Sequence, residues 1–247
     1  MTAKSSNKNP SKSEPSVVSK AYLVAYNFIQ VIGWSWLLYL IIQYYLKPKT
    51  EGVKDTLWPH VSTVTTIFQN AAALEIIHAA TGLVPSSAIV TTLQVLSRLM
   101  VVDGVLLATP TGPLSPGLPL CLIAWAITEI IRYLYYALNI INTIPDFLTW
   151  CRYTFFIVLY PLGVTGELLC FYWAQAYVKE HKIYTVELPN SMNFTFSYHY
   201  FMVMVMLLYI PSKYFHDIVR NIAAFLIFTE LPDFTESFAK TGFGKPE

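Results

Sequence analysis

Long uncharged apolar stretches alternate with short polar ones along this chain. Residues 21–46 carry no charge. At about 1.5 Å rise per residue they make roughly 39 Å of helix, enough to cross a bilayer core with tilt. A loop with Lys47, Pro48, Lys49, Glu51, Lys54 and Asp55 follows. Further apolar segments are predicted at 61–83, 87–108, 118–141, 153–178 and 198–214. They are separated by GLVPSS, TPTGPLSPGLP, NTIPDF and the polar run KEHKIYTVELPNSMN, whose Pro, Gly and charged residues interrupt helices. The pattern predicts an all-α fold, a polytopic membrane bundle of six transmembrane helices over residues 21–214. A tail at 1–20, rich in Ser, Lys, Asn and Pro, is expected to be disordered. It lacks the apolar core and cleavage site of a secretory signal, so the first segment is expected to act as an uncleaved anchor. In the second tail, 215–247, NIAAFLIFTEL is too short to span and is expected at the interface or against the bundle.

Composition strengthens this reading. Apolar residues make up 55% of the 247, and charged residues only 13%, about half the share of a soluble domain. So few charges cannot cover a water-facing surface around a core of this size, so the lipid bilayer is the expected second solvent. A net charge of +1 gives no case for nucleic acid. Cys121, Cys151 and Cys170 lie in or beside apolar stretches, as buried free thiols would, and no C-x2-C pair marks a metal site. Six crossings put both termini on one side. With cytosolic termini that side holds nine Lys or Arg residues (Lys4, Lys8, Lys12, Lys20, Arg152, Lys213, Arg220, Lys240 and Lys245). The other side holds five (Lys47, Lys49, Lys54, Lys179 and Lys182), so the bias favours cytosolic termini.

The chemistry lies in the charges at membrane depth, each costing roughly 2.5–3.5 kcal/mol on insertion scales. They are Glu75, His78, Arg98, Asp103, Glu129, Arg132 and Glu167. Glu75 and His78 share a helical face, as do Gln94 and Arg98. Glu129, Arg132, Tyr133 and Tyr136 form a polar stripe in WAITEIIRYLYY. One reading has Arg98 and Arg132 neutralising Glu75 and Glu129 in internal ion pairs. The other is an arginine-lined pocket for an anionic head group. Between Arg152 and Lys179 the single charge is Glu167. Tyr160 stands seven residues before it. Seven residues turn about 700°, so the two lie within about 20° of one face and roughly 10 Å apart along the axis. Pro161 removes a backbone donor and is expected to kink the helix. Gly163 and Gly166 leave room for a neighbouring helix or an acyl chain. Tyr160 with Glu167 is a plausible acid–base pair. An arginine partner for Glu167, or the rival pair Glu129 with Tyr136 at the same spacing, fits the pattern equally well.

LEIIHAATGLVPSS, the TLQVLSR run, AWAITEIIRYLYYAL and above all RYTFFIVLYPLGVTGE resemble the membrane very-long-chain (3R)-3-hydroxyacyl-CoA dehydratases, also called protein-tyrosine-phosphatase-like proteins. The similarity covers roughly residues 21–211 in the same order. It implies six spans, residence in the endoplasmic reticulum membrane, cytosolic termini and dehydration of a 3-hydroxyacyl-CoA to the trans-2-enoyl-CoA during fatty acid elongation. The family's catalytic tyrosine and glutamate, seven apart in YPxGxxxE, fall on Tyr160 and Glu167. Supporting polar positions fall on Arg98, Glu129, Arg132, Tyr133, Arg152 and Gly163. The implied partners are an acyl-CoA substrate and the condensing enzyme and reductases of the elongation cycle. No cofactor and no metal are implied, since the substrate is itself a CoA thioester. Two departures stand out. The end, ESFAKTGFGKPE, lacks the dilysine found in some members. Phosphatase chemistry needs an Arg six positions after a Cys, and those positions hold Ile127, Ile157 and Ala176.

The implied reaction takes a proton from C2 and expels the C3 hydroxyl as water. Glu167 donates to that hydroxyl while Tyr160 abstracts, or the roles reverse. The CoA phosphates are expected at the cytosolic surface near Arg152 and Lys213. Other classes fit less well. The five histidines are scattered, without the clusters of a di-iron oxygenase, and no internal repeat marks a transporter. A non-catalytic scaffold of an elongation complex and a membrane transporter are the remaining alternatives.

Overall fold

The computed structural model describes residues 16–48, 55–191 and 193–209, and its regular elements are helices. Helix α1 (Val17–Leu46) starts earlier than the apolar run, because the Ser16 hydroxyl accepts the N–H of Ser19 at 3.2 Å and caps it. Residues 17–20, expected in the disordered tail, are therefore helical, and the rest of that tail lies outside the described residues except for the cap itself. The second expected segment forms two helices, α2 (Trp58–Ala71) and α3 (Leu74–Ala80), with a turn at Ala72 and Ala73. The third is α4 (Ala88–Leu99) continued by a π-helical stretch, Met100–Leu106. Helices α5 (Gly117–Ile140), α6 (Asp146–His181) and α7 (Tyr198–Tyr209) follow.

Four of these are long and apolar enough to cross a membrane: α1, α4 with its π extension, α5 and α6. The chain is thus a polytopic helical membrane protein, as its pattern predicts. The other two expected spans are helical but shorter, one divided at Ala72–Ala73 and the other described only as far as Tyr209. The tail at 215–247 and Lys213 lie outside the described residues.

Helix α5 is the centre of the bundle. Half of its apolar window is buried, against a third or less in the other spans, and it packs most extensively along α6 and α1. The core joins Trp34, Leu37 and Ile41 of α1 to Leu118, Leu122 and Trp125 of α5 and Phe171, Ala174 and Val178 of α6. Those spacings of three and four place each set on one helical face. Ile29, Ile32, Leu93, Val158 and Leu207 point outward, where lipid replaces water as the solvent of apolar side chains.

Two glycines set how closely α5 and α6 approach. A Cβ on Gly166 would lie 2.5 Å from Cys121 N and 2.7 Å from the Gly117 carbonyl oxygen. A Cβ on Gly117 would lie 2.3 Å from the Gly166 carbonyl oxygen. Backbone meets backbone here, as small residues allow in membrane helix pairs. Helix α6 begins at Asp146 rather than near 153, with the extended Pro145 ahead of it and the Asp146 carboxylate in its first turn, where negative charge is favourable. The helix runs on through Pro161, where a kink was expected, and Thr165 Oγ1 donates to the Pro161 carbonyl oxygen at 2.7 Å. Cys121, Cys151 and Cys170 are all buried and free.

Candidate active site

Four charged side chains close on one another at the meeting of α3, α4 and α5. Arg98 pairs with Glu129 Oε1. Arg132 donates from Nε to Glu129 Oε2 at 2.7 Å and, through Nη1 and Nη2, to both oxygens of Glu75 at 2.8 and 2.9 Å. The Tyr133 hydroxyl also donates to Glu75, and its ring lies under the Arg132 guanidinium, 4.4 Å from centroid to Cζ. Two cations meet two anions, so the network is electrically closed. This is the internal pairing expected for Glu75, Arg98, Glu129 and Arg132. It commits Glu129 to two arginines, and among the described residues no hydrogen bond joins it to its rival partner Tyr136.

Glu167 stands apart from that balance. Its side chain is buried in the α5–α6 contact. Trp125 Nε1 donates to its Oε1 at 2.8 Å and the Tyr209 hydroxyl to its Oε2 at 2.7 Å. Both donors are neutral, and among the described residues no ion pair reaches this carboxylate. Arg98 acts on it from a distance: its guanidinium lies 5.5 Å over the Trp125 ring while its own hydrogen bond goes to Glu129. A continuous polar chain therefore runs Glu75–Arg132–Glu129–Arg98–Trp125–Glu167–Tyr209. The arginine partner considered for Glu167 is replaced by an indole and a phenol.

Gly163 lies one turn before Glu167. A Cβ there would stand 3.4 Å from Ala124 Cβ and 3.9 Å from Trp125 Cδ1, so the glycine keeps space beside the indole that holds the carboxylate. Tyr160 is half-buried on the same face, its ring 5.2 Å from that of Phe156. Arg152, two turns before Tyr160, lies over the rings of Tyr135 and Tyr136, at 4.3 and 5.1 Å. It has no carboxylate partner among the described residues. One surface cavity among the described residues is lined by Trp58, Thr109 and Tyr177. It opens about 15 Å along α6 from Glu167 and belongs to the other end of the bundle.

Trp125 and Tyr209 were not among the residues expected from the sequence. Trp125 carried a signal, lying four residues before Glu129 and thus on the same face of α5. Tyr209 carried none, since its contact with Glu167 joins separate helices.

Fold and site together define a helical membrane protein with a lone carboxylate, held by neutral donors, beside a closed ion network. Residues 69–217 match the family model described as protein tyrosine phosphatase-like protein, PTPLA, and this stretch holds every residue of both clusters. The chain belongs to that family. It is 41% identical over 210 residues to very-long-chain (3R)-3-hydroxyacyl-CoA dehydratase 2 of Mus musculus, covering 84% of this chain and 82% of the relative. It is 43% identical over 198 residues to very-long-chain (3R)-3-hydroxyacyl-CoA dehydratase hpo-8 of Caenorhabditis elegans, covering 78% and 88%. With very-long-chain (3R)-3-hydroxyacyl-CoA dehydratase PASTICCINO 2 of Arabidopsis thaliana it shares 36% over 199 residues, covering 80% and 88%. No solved structure matches the chain.

Proposed function

We propose that this protein dehydrates very-long-chain 3-hydroxyacyl-CoA to trans-2-enoyl-CoA, with Tyr160 and Glu167 as the reacting pair. The observation that carries the choice of site is the contrast among carboxylates. Glu75 and Glu129 are matched by arginines, whereas Glu167 is buried beside small residues with neutral partners. A carboxylate kept at that depth without an ion pair is costly, and functional demand is the usual reason for one. The relatives' names support the reaction.

The elimination balances without an oxidant or reductant. A proton leaves C2, the C2–H electron pair forms the C2=C3 bond, and the C3 hydroxyl departs with a second proton as water. One proton acceptor and one proton donor suffice, and no cofactor is required. A carboxyl and a phenol on one helical face supply both kinds of group.

Arg152 fits the polar end of the substrate. Its guanidinium rests on two aromatic rings, and its donors are not spent on a carboxylate among the described residues. It stands about 12 Å along the helix from Tyr160 and about 22 Å from Glu167. The CoA phosphates would rest at Arg152 while the pantetheine arm carries the thioester inward and the acyl chain lies between helices. The lysine and arginine bias supports a cytosolic position for this end and for both termini. We place the protein in the endoplasmic reticulum membrane, between a reductase that supplies the 3-hydroxyacyl-CoA and one that consumes the enoyl-CoA, in a cycle opened by a condensing enzyme.

The test is to purify the full chain and incubate it with 3-hydroxyacyl-CoA substrates of graded length. Accumulation of trans-2-enoyl-CoA, greatest with long acyl chains and lost in Tyr160→Phe, is the expected result. Absence of product at every length would overturn the assignment.

A further inference from the structure

We infer that Trp125 and Tyr209 are positioning residues that fix the Glu167 carboxylate for proton transfer, tying its orientation to the ion network of α3, α4 and α5. The inference rests on the reading of Glu167 as a reacting group and goes beyond it by naming what holds that group.

A glutamate has three side-chain torsions, and a free carboxylate would sample many orientations. Here both oxygens are held. Trp125 reaches Oε1 from α5 and Tyr209 reaches Oε2 from α7, at 2.8 and 2.7 Å, so three helices define the plane of one carboxylate. Each holder is itself held. The Trp125 ring lies under the Arg98 guanidinium, and Arg98 is anchored by Glu129, which Arg132 clamps in turn. The Tyr209 ring meets Phe171 edge-on at 6.3 Å and 65°, and Phe171 is fully buried in the core. An indole N–H donates and does not accept, so Trp125 holds Oε1 as an acceptor. Oε2 is the oxygen that meets Tyr209, whose hydroxyl can donate or accept.

Orientation of this kind matters because small misplacements of a reacting group cost up to about a hundredfold in rate. The holders act through the Glu167 carboxylate rather than on the substrate, so their loss lowers turnover rather than substrate binding.

The experiment compares Tyr209→Phe, Trp125→Phe and Glu167→Gln in the purified full chain. Steady-state rates with a long-chain 3-hydroxyacyl-CoA are taken per folded molecule, with thermal melting measured alongside. The expected result is a fall in kcat of about tenfold or more for each lost donor, from hydrogen bonds to a charged group, with KM little changed. Tyr209→Phe removes one hydroxyl and keeps the ring, so it tests the idea even if Trp125→Phe disturbs packing. Wild-type kcat in Tyr209→Phe would overturn the inference, as would losses that disappear once rates are counted per folded molecule. If Glu167→Gln is inactive in that case, the dyad survives and only the positioning role fails. A fully active Glu167→Gln would remove the dyad and this inference with it.

Discussion

Two carboxylates one helix apart share nearly every local property and differ in their partners. Glu129 on α5 and Glu167 on α6 are 1% and 7% exposed, and each has a tyrosine seven residues away on its own helix. Glu129 accepts from two arginines, whereas Glu167 accepts from an indole and a phenol. A carboxylate between two guanidinium groups is matched in charge and held by both. One held by neutral donors has no counter-charge beside it, which is the ground for proposing Glu167 as the reacting acid. Burial alone does not separate the two; the charge of their surroundings does.

Substitutions at the two sites should separate chemistry from stability. At the proposed reacting pair, Tyr160→Phe should lower turnover by roughly 10²–10⁴-fold, the usual contribution of an acid–base group, with melting close to wild type. Glu129→Gln should act in the opposite way. It leaves Arg98 and Arg132 short of one anion in the bundle interior, a loss of about 3–5 kcal/mol, read as a lower melting temperature and poor recovery of folded protein. A Glu129→Gln protein that melts like wild type would show that the ion network is not structural.

The resemblance between the two sites explains what was legible in the sequence. The apolar helices and the shared face of Tyr160 and Glu167 follow from local periodicity, which a helix converts directly into geometry. The internal pairing of Glu75, Arg98, Glu129 and Arg132 follows from charge balance at membrane depth. Helical spacing left Glu129 with Tyr136 equal to Tyr160 with Glu167, because it sees only one helix at a time. What separates them lies across helices: the arginines on Glu129 come from α4 as well as α5, and the donors to Glu167 come from α5 and α7. Tyr209 is one of 17 tyrosines in a chain with 15% aromatic residues, so its identity alone does not single it out. The π-helical stretch after Arg98 and the turn at Ala72–Ala73 were equally hidden, since neither carries a proline, and only the π stretch contains a glycine, Gly104.

The packing that holds the sites together should also divide by degree. Gly166→Ala forces a Cβ to within 2.5 Å of Cys121 N, where backbone must yield. A cost of about 1–3 kcal/mol in stability is expected from such overpacking. Gly163→Ala meets Ala124 Cβ at 3.4 Å, close to ordinary contact, and should melt nearer to wild type. Any loss of turnover in Gly163→Ala then reports displacement of the Trp125 indole. The smallest effect is expected at the substrate's polar end. Arg152→Ala should raise KM by about tenfold, as loss of a charge-assisted hydrogen bond to phosphate would, while leaving kcat nearly intact. Equal effects of Arg152→Ala on substrates with and without the CoA phosphates would place the phosphate site elsewhere.

The most direct single measurement is the rate at which purified, folded Glu167→Gln protein converts a long-chain 3-hydroxyacyl-CoA to the enoyl-CoA. The amide is isosteric and can neither take nor give the proton as a carboxyl does. A rate below about one hundredth of wild type, with unchanged melting, is the expected result for a reacting carboxylate. Conversion at the wild-type rate would show that the lone buried carboxylate is not part of the chemistry.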